Sequence, residues 1–150
     1  MNHDFLKLDK QLCFPLYACS RQVIRLYKPV LDPLGLTYTQ YITLMALWET
    51  DHISVKQLGE RLFLDSGTLT PLLKKMENQG LVRRERSQED ERVVVIHLTK
   101  EGKSMKEKAA EVPQQIVSCV NLNQEDAIQL HRMLHLLLKD LKSDACVLET

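Results

Sequence analysis

Between residues 80 and 99 the spacing of apolar side chains changes. The segments LVRRER (81–86) and VVVIHL (93–98) are β-rich and flank a polar connection, SQEDER (87–92), whereas the chain on either side repeats its apolar residues three and four apart. A chain that can pair strands at one place only, and is helical elsewhere, can bury its apolar faces in few ways. The expectation is a mainly α fold with one small β-hairpin.

The helical segments carry their own punctuation. In residues 11–31 a stripe of Leu12, Leu16, Val23, Tyr27 and Val30 predicts a long helix. Pro15 lacks an N–H and belongs in a first turn, so regular helix should begin near Leu12 or Cys13. KPVLDPLGL (28–36), with two prolines and a glycine, should break it. A second helix is expected over 38–49, burying Ile42, Leu44, Met45, Leu47 and Trp48. SVKQ at 54–57 reads as a capping box opening a short helix to Leu62. Asp65 or Ser66 should cap a fourth helix that ends at Gly80. Thr99 should cap a long helix kinked at Pro113, and Asn123, followed by Glu125 and Asp126, should start the last one. There Leu130, Leu134, Leu137 and Leu141 form a seam suited to a partner helix.

Composition narrows the class. Hydrophobic residues make up 44% and charged residues 27%, as in a folded globular chain. MNHDFLKLDK has charges where a signal peptide needs an apolar core, and no apolar run could span a bilayer, so a cytoplasmic protein away from membranes is expected. Cys13, Cys19, Cys119 and Cys146 include no C-x-x-C pair, which argues against a disulfide framework or a zinc site in a reducing compartment. His131 and His135 are four apart, but no acid completes an H-E-x-x-H pattern and no third ligand stands nearby. They read as surface or interface residues, and neither metal nor cofactor is expected.

Two short helices followed by a hairpin are the layout of a winged helix-turn-helix. Its second helix must offer small polar and basic groups to bases and phosphates. SGTLTPLLKK (66–75) offers Ser66, Thr68, Thr70, Lys74 and Lys75, while Leu69, Leu72, Leu73 and Met76 can face the core. The whole chain has zero net charge. Residues 53–86, however, hold seven basic groups (Lys56, Arg61, Lys74, Lys75, Arg83, Arg84, Arg86) against four acids, a local +3 that can attract phosphate. In the connection Arg92 could enter a minor groove braced by Asp90. Equally, Glu89, Asp90 and Glu91 could make it an ordinary solvated turn.

Cys13 stands out among the thiols. At the first turn of a helix, partial positive charge and free N–H groups favour a thiolate, and Tyr17, Tyr27 and Tyr38 around this segment can donate phenolic hydrogens to it. Cys19, six positions on, cannot bridge to Cys13 within a regular helix and reads as packing.

The stretch LDSGTLTPLLKKMENQGLVRRERSQEDERVVVIHLTKEG resembles the recognition helix and wing of the MarR family. LDKQLCFPLYACSR, LTYTQYITLMALWE and LDSGTLTPLLK together resemble its organic hydroperoxide repressors. Pro15 departs from the usual residue there. The resemblance implies a homodimer with a winged-helix DNA-binding lobe at about 37–99 and a dimerisation lobe at about 1–36 and 100–150, on pseudo-palindromic double-stranded operator DNA. Ser66, Thr68, Thr70, Lys74 and Lys75 would meet the major groove, with Arg84, Arg86, Asp90 and Arg92 in the wing. It also implies that Tyr17, Tyr27 and Tyr38 surround the sensing thiol and that an organic hydroperoxide oxidises Cys13. In the two-cysteine members a second thiol then traps the product; Cys119 fits that place and Cys146 is its rival. A MarR-type repressor released by a small apolar or phenolic ligand stays open as the alternative. A thiol peroxidase is disfavoured, because only Lys10 supplies a base near Cys13, and no catalytic residue is assigned.

Overall fold

The computed structural model describes residues 3–142. Its contacts divide the chain into two compact units, Met1–Val117 and Ser118–Thr150. In the first, two short 3-10 turns precede helix α1 (Cys13–Leu31). Then come α2 (Tyr38–Glu49), strand β1 (Ile53–Ser54), α3 (Val55–Leu62), α4 (Ser66–Asn78), β2 (Val82–Arg86), β3 (Val94–Leu98), α5 (Lys100–Lys108) and α6 (Val112–Ser118). The second unit is built on α7 (Gln124–Lys142).

Pro15 sits in the first turn of α1, where its missing N–H has no intrahelical partner to lose. The helix ends within 28–36 as expected, although Pro29 itself stays inside it. It lies in the last turn with Arg25, four residues back, and both are exposed, so water can take the one orphaned carbonyl. The break comes after Leu31, in a 3-10 turn at Asp32–Leu34 closed by left-handed Gly35 at φ 68°. Only the C-terminal part of α1 reaches the core, through Leu26, Tyr27, Val30 and Leu31. Leu12, Phe14, Tyr17, Val23 and Ile24 stay exposed.

Capping boxes open both α2 and α3. Thr37 and Gln40 exchange side-chain and backbone hydrogen bonds in the first, and Ser54 and Gln57 do so in the second. The core is formed by Leu44 and Leu47 of α2, Leu58 of α3, Leu69, Leu73 and Met76 of α4, and Ile96 of β3, all essentially inaccessible. Met45 is an exception to the expected burial of α2, being 39% exposed. Its position on the helix falls between the buried Thr43, Leu44, Ala46 and Leu47 on the outer face.

The hairpin forms as expected, in the register Val82↔Leu98, Arg84↔Ile96 and Arg86↔Val94. A third strand joins it: β1 pairs with β3 through Ile53↔Ile96, giving the antiparallel order β1-β3-β2. Two residues are too few to show alternation in a sequence.

The expected single helix kinked at Pro113 is instead two helices. The chain leaves α5 at Ala109, whose φ and ψ are −92° and 1°, and Pro113 occupies the first turn of α6. Proline disfavours helical geometry in the residue before it and clashes with the turn beneath, so the helix stops and restarts with proline in its first turn. In the second unit Asn123 caps α7 by accepting the N–H of Asp126 at 2.8 Å. Among the described residues no helix is long and apolar enough to cross a membrane.

One contact controls how closely α5 approaches the wing. At Gly102 an added Cβ would lie 2.0 Å from the backbone carbonyl oxygen of Leu81, and the Gly102 carbonyl itself accepts Trp48 Nε1–H at 2.9 Å. Backbone cannot rotate away as a side chain can. Gly102→Ala should therefore destabilise the fold by about 2–3 kcal/mol through overpacking, read as a lower urea midpoint with unchanged m-value. An unchanged midpoint would refute the close approach.

Candidate nucleic-acid interface and thiol site

Helix α4 begins where Asp65 accepts the Thr68 backbone N–H at 2.9 Å and its hydroxyl at 3.0 Å. These bonds hold the Asp65 carboxyl below the usual carboxylate range. The spacing of Leu69, Leu73 and Met76 turns one face inward and leaves the other to solvent. The outward face carries Ser66, Thr70 and Lys74 on one line, with Lys75 on the next. Thr68 is exposed too, but its hydroxyl hydrogen is committed to the cap.

The helix ends in a Schellman motif. The Gly80 N–H donates to Glu77 and the Leu81 N–H to Met76, with Gly80 at φ 73°. Just beyond it, Glu77 grips the first strand of the wing. Its Oε1 accepts the Arg84 backbone N–H at 3.1 Å and its Oε2 the Arg84 Nε–H at 2.8 Å. The hydrogen bond from the Arg84 side chain, chiefly, holds the Glu77 carboxyl below its ordinary value. Arg84, read from sequence as a DNA contact, is thus half-buried and already paired.

Arg61 is paired as well, with Glu49, the Ala46 carbonyl and Thr50. Among the described residues Lys56, Lys74, Lys75, Arg83 and Arg86 make no ion pair, and all five are exposed. At the wing tip Asp90 braces Arg92 as expected, accepting its Nε–H at 3.1 Å and its backbone N–H at 3.0 Å. The guanidinium remains 90% exposed. Glu89 and Glu91 flank it, also exposed.

Cys13 is the first residue of α1, exposed, at a helix start with no side-chain cap. Tyr17 lies one turn on and Arg21 two. The Arg21 Nη1–H donates to the Tyr17 hydroxyl at 2.8 Å, and the guanidinium lies 5.5 Å from the ring centre. Arg21, two turns from Cys13, thus acts on the Tyr17 phenol that lies between them in sequence.

The three tyrosines do not gather around one thiol within the chain. Tyr27 and Tyr38 pack together with ring centres 4.8 Å apart, and Tyr41, which sequence reading missed, lies tilted with its ring centre 5.9 Å from that of Tyr27. Burial first, then the neighbouring phenols, raises the hydroxyls of Tyr27 and Tyr41 above the usual tyrosine range. Fourteen residues of helix separate Tyr27 from Cys13, about 21 Å at 1.5 Å per residue. Cys19 is exposed rather than packed, since the half of α1 that carries it does not reach the core. Cys119 is exposed in the second unit, and Cys146 lies outside the described residues.

Residues 25–109 match the model of the transcriptional regulator SarA/Rot family. The organic hydroperoxide resistance transcriptional regulator of Bacillus subtilis is 52% identical over 138 residues, covering 92% of this chain and 94% of that protein. This chain belongs to the MarR family of transcription regulators. SarZ of Staphylococcus epidermidis, an HTH-type transcriptional regulator, is 46% identical over 82% of the chain and 83% of its own length. Reduced AbfR bound to DNA superposes with TM-score 0.76 at 37% identity, over 92% of this chain and 96% of that one. The structure of disulfide-formed AbfR gives TM-score 0.65 at 38% identity, over 92% and 94%. As a MarR-family member the chain is a regulator and not an enzyme, and its winged helix is the family's.

The Glu77–Arg84 clamp has a signature in pH. The folded carboxyl titrates below the unfolded one, so its stabilising contribution is complete above the ordinary glutamate value of about 4.3 and is lost as pH falls through the lower, folded value. Glu77→Gln should lower the urea midpoint at pH 7 and flatten its decline between about pH 5 and 3. Parallel declines in the two proteins would show that the clamp does not titrate.

Proposed function

We propose that the chain is a redox-sensing transcription repressor that binds pseudo-palindromic operator DNA as a cytoplasmic homodimer and lets go when an organic hydroperoxide oxidises Cys13. The observation that carries this reading is an exposed thiol at the uncapped start of α1, in a chain half identical to an organic hydroperoxide resistance regulator. In the chemistry proposed, the Cys13 thiolate attacks the outer peroxide oxygen. The O–O bond breaks, the alcohol leaves, and the thiol becomes a sulfenic acid. A second thiol, assigned to Cys119 of the other subunit, then displaces water to form a disulfide.

The apolar side chains left bare on α1 (Phe14, Val23, Ile24), on Leu12 just before it, and on α7 (Ile128, Leu130, Met133, Leu141) support a dimer, because a folded chain rarely leaves such surfaces uncovered. The dimer also resolves the problem of the tyrosines. Since Tyr27 and Tyr38 lie too far along their own chain, they serve the Cys13 of the other copy, while Tyr17 lies one turn from its own thiol. Two recognition helices would enter successive major grooves about 34 Å apart. Ser66, Thr68 and Thr70 would face base edges, Lys74, Lys75 and Arg86 phosphates, and Arg92, held by Asp90, the minor groove. Arg84 positions the wing through Glu77.

Peroxide should abolish operator binding of the native protein and leave Cys13→Ser bound, as seen by gel shift. Release of the Cys13→Ser protein by peroxide would sink the proposal. In non-reducing electrophoresis the oxidised protein should run as a covalent dimer that disappears in Cys119→Ser; a dimer that persists there points to Cys146. For the interface, Lys74→Ala or Lys75→Ala should weaken binding to all sequences alike and reduce the slope of log affinity against log salt by about 1 each. An unchanged slope would remove these lysines from the phosphate contacts.

A further inference from the structure

His131 and His135 stand one turn apart near the middle of α7, both exposed. Their ring centres are 4.3 Å apart and their planes cross at 57°. The two Nε2 atoms face each other at 3.1 Å. Two ring nitrogens at that distance cannot both carry hydrogen. Either one donates to the other, or both lone pairs point at a shared cation. With metal–nitrogen bonds near 2.0–2.1 Å, two ligands of one ion are about 3.4 Å apart in a tetrahedron and about 2.9 Å apart when adjacent in a square plane. The observed separation falls between these limits, so the pair has the spacing that chelation needs.

The position also suits it. Leu130 and His131 differ by about 100° around the helix, so the imidazoles lie beside, not within, the apolar seam of Leu130, Leu134, Leu137 and Leu141. Both imidazoles are exposed in the single chain. Among the described residues no third His, Cys, Asp or Glu joins the pair. Water would complete the coordination sphere, as in an exchangeable site rather than a closed structural one.

We propose that His131 and His135 form a two-imidazole clamp for a nitrogen-preferring divalent transition metal, of the class of zinc, nickel and copper(II). The inference stands on α7 alone and is independent of the redox reading. The affinity order should be copper(II) above nickel and zinc. Acid should release the ion, because imidazolium has no lone pair to give.

The test uses the untagged full-length chain, its thiols capped with N-ethylmaleimide, titrated with Ni2+ by calorimetry. One Ni2+ should bind per chain at pH 7.5. His131→Gln or His135→Gln should weaken binding on the order of tenfold or more, since losing either ring forfeits the chelate. Circular dichroism checks that the variants keep their helix. A measurement on the native sequence makes the result independent of them: paramagnetic Ni2+ should broaden backbone amide resonances most around residues 131–135. Wild-type affinity in either variant would overturn the clamp. So would broadening centred on His52 and His97, whose rings stack with centres 5.0 Å apart, or the absence of one-to-one binding.

Discussion

Glu77 holds helix α4 and the wing at one angle. It leaves the last turn of α4 and takes both the backbone N–H and the guanidinium of Arg84, the central residue of β2. Helix and wing are therefore joined by a charge-assisted clamp as well as by the glycine turn between them. The buried line Leu69, Leu73 and Met76 fixes the rotation of α4, and the pairing of Arg84 with Ile96 fixes the wing. With both set, the exposed side chains of α4 and the tip at Asp90 and Arg92 keep a constant relation. That is what reading a groove and its neighbour requires.

How the sequence specifies this can be traced residue by residue. The capping box at Ser54 and Gln57, the cap at Asp65, the left-handed Gly80 and the cap at Thr99 use local signals whose mechanism lies within four residues, and all were legible. Thr37 and Gln40 form a box of the same pattern that could have been read in the same way. Other features depend on what comes together in space. Strand β1 exists because β3 offers Ile53 a partner, and Pro29 is tolerated because its face is wet. Arg84 looked like any other cation until Glu77 was seen beside it.

The thiol site shows the same division. The start of α1 at Cys13 follows from Pro15 and was expected; its exposure was not, since Leu12 and Leu16 counted toward the apolar stripe. The gathering of tyrosines was not a property of one chain, because helical rise separates Tyr27 from Cys13 by several turns. Their number and spacing in sequence do not say how far the helical rise carries each one from Cys13.

Trp48 is the sole tryptophan of the chain. It sits half-buried on α2, with its indole N–H on the carbonyl of Gly102 in α5, at the joint between these two helices. Indole emission is sensitive to that hydrogen bond and to water at the ring edge. The protein thus carries a built-in optical gauge of this joint, one that needs no label and leaves every cysteine untouched.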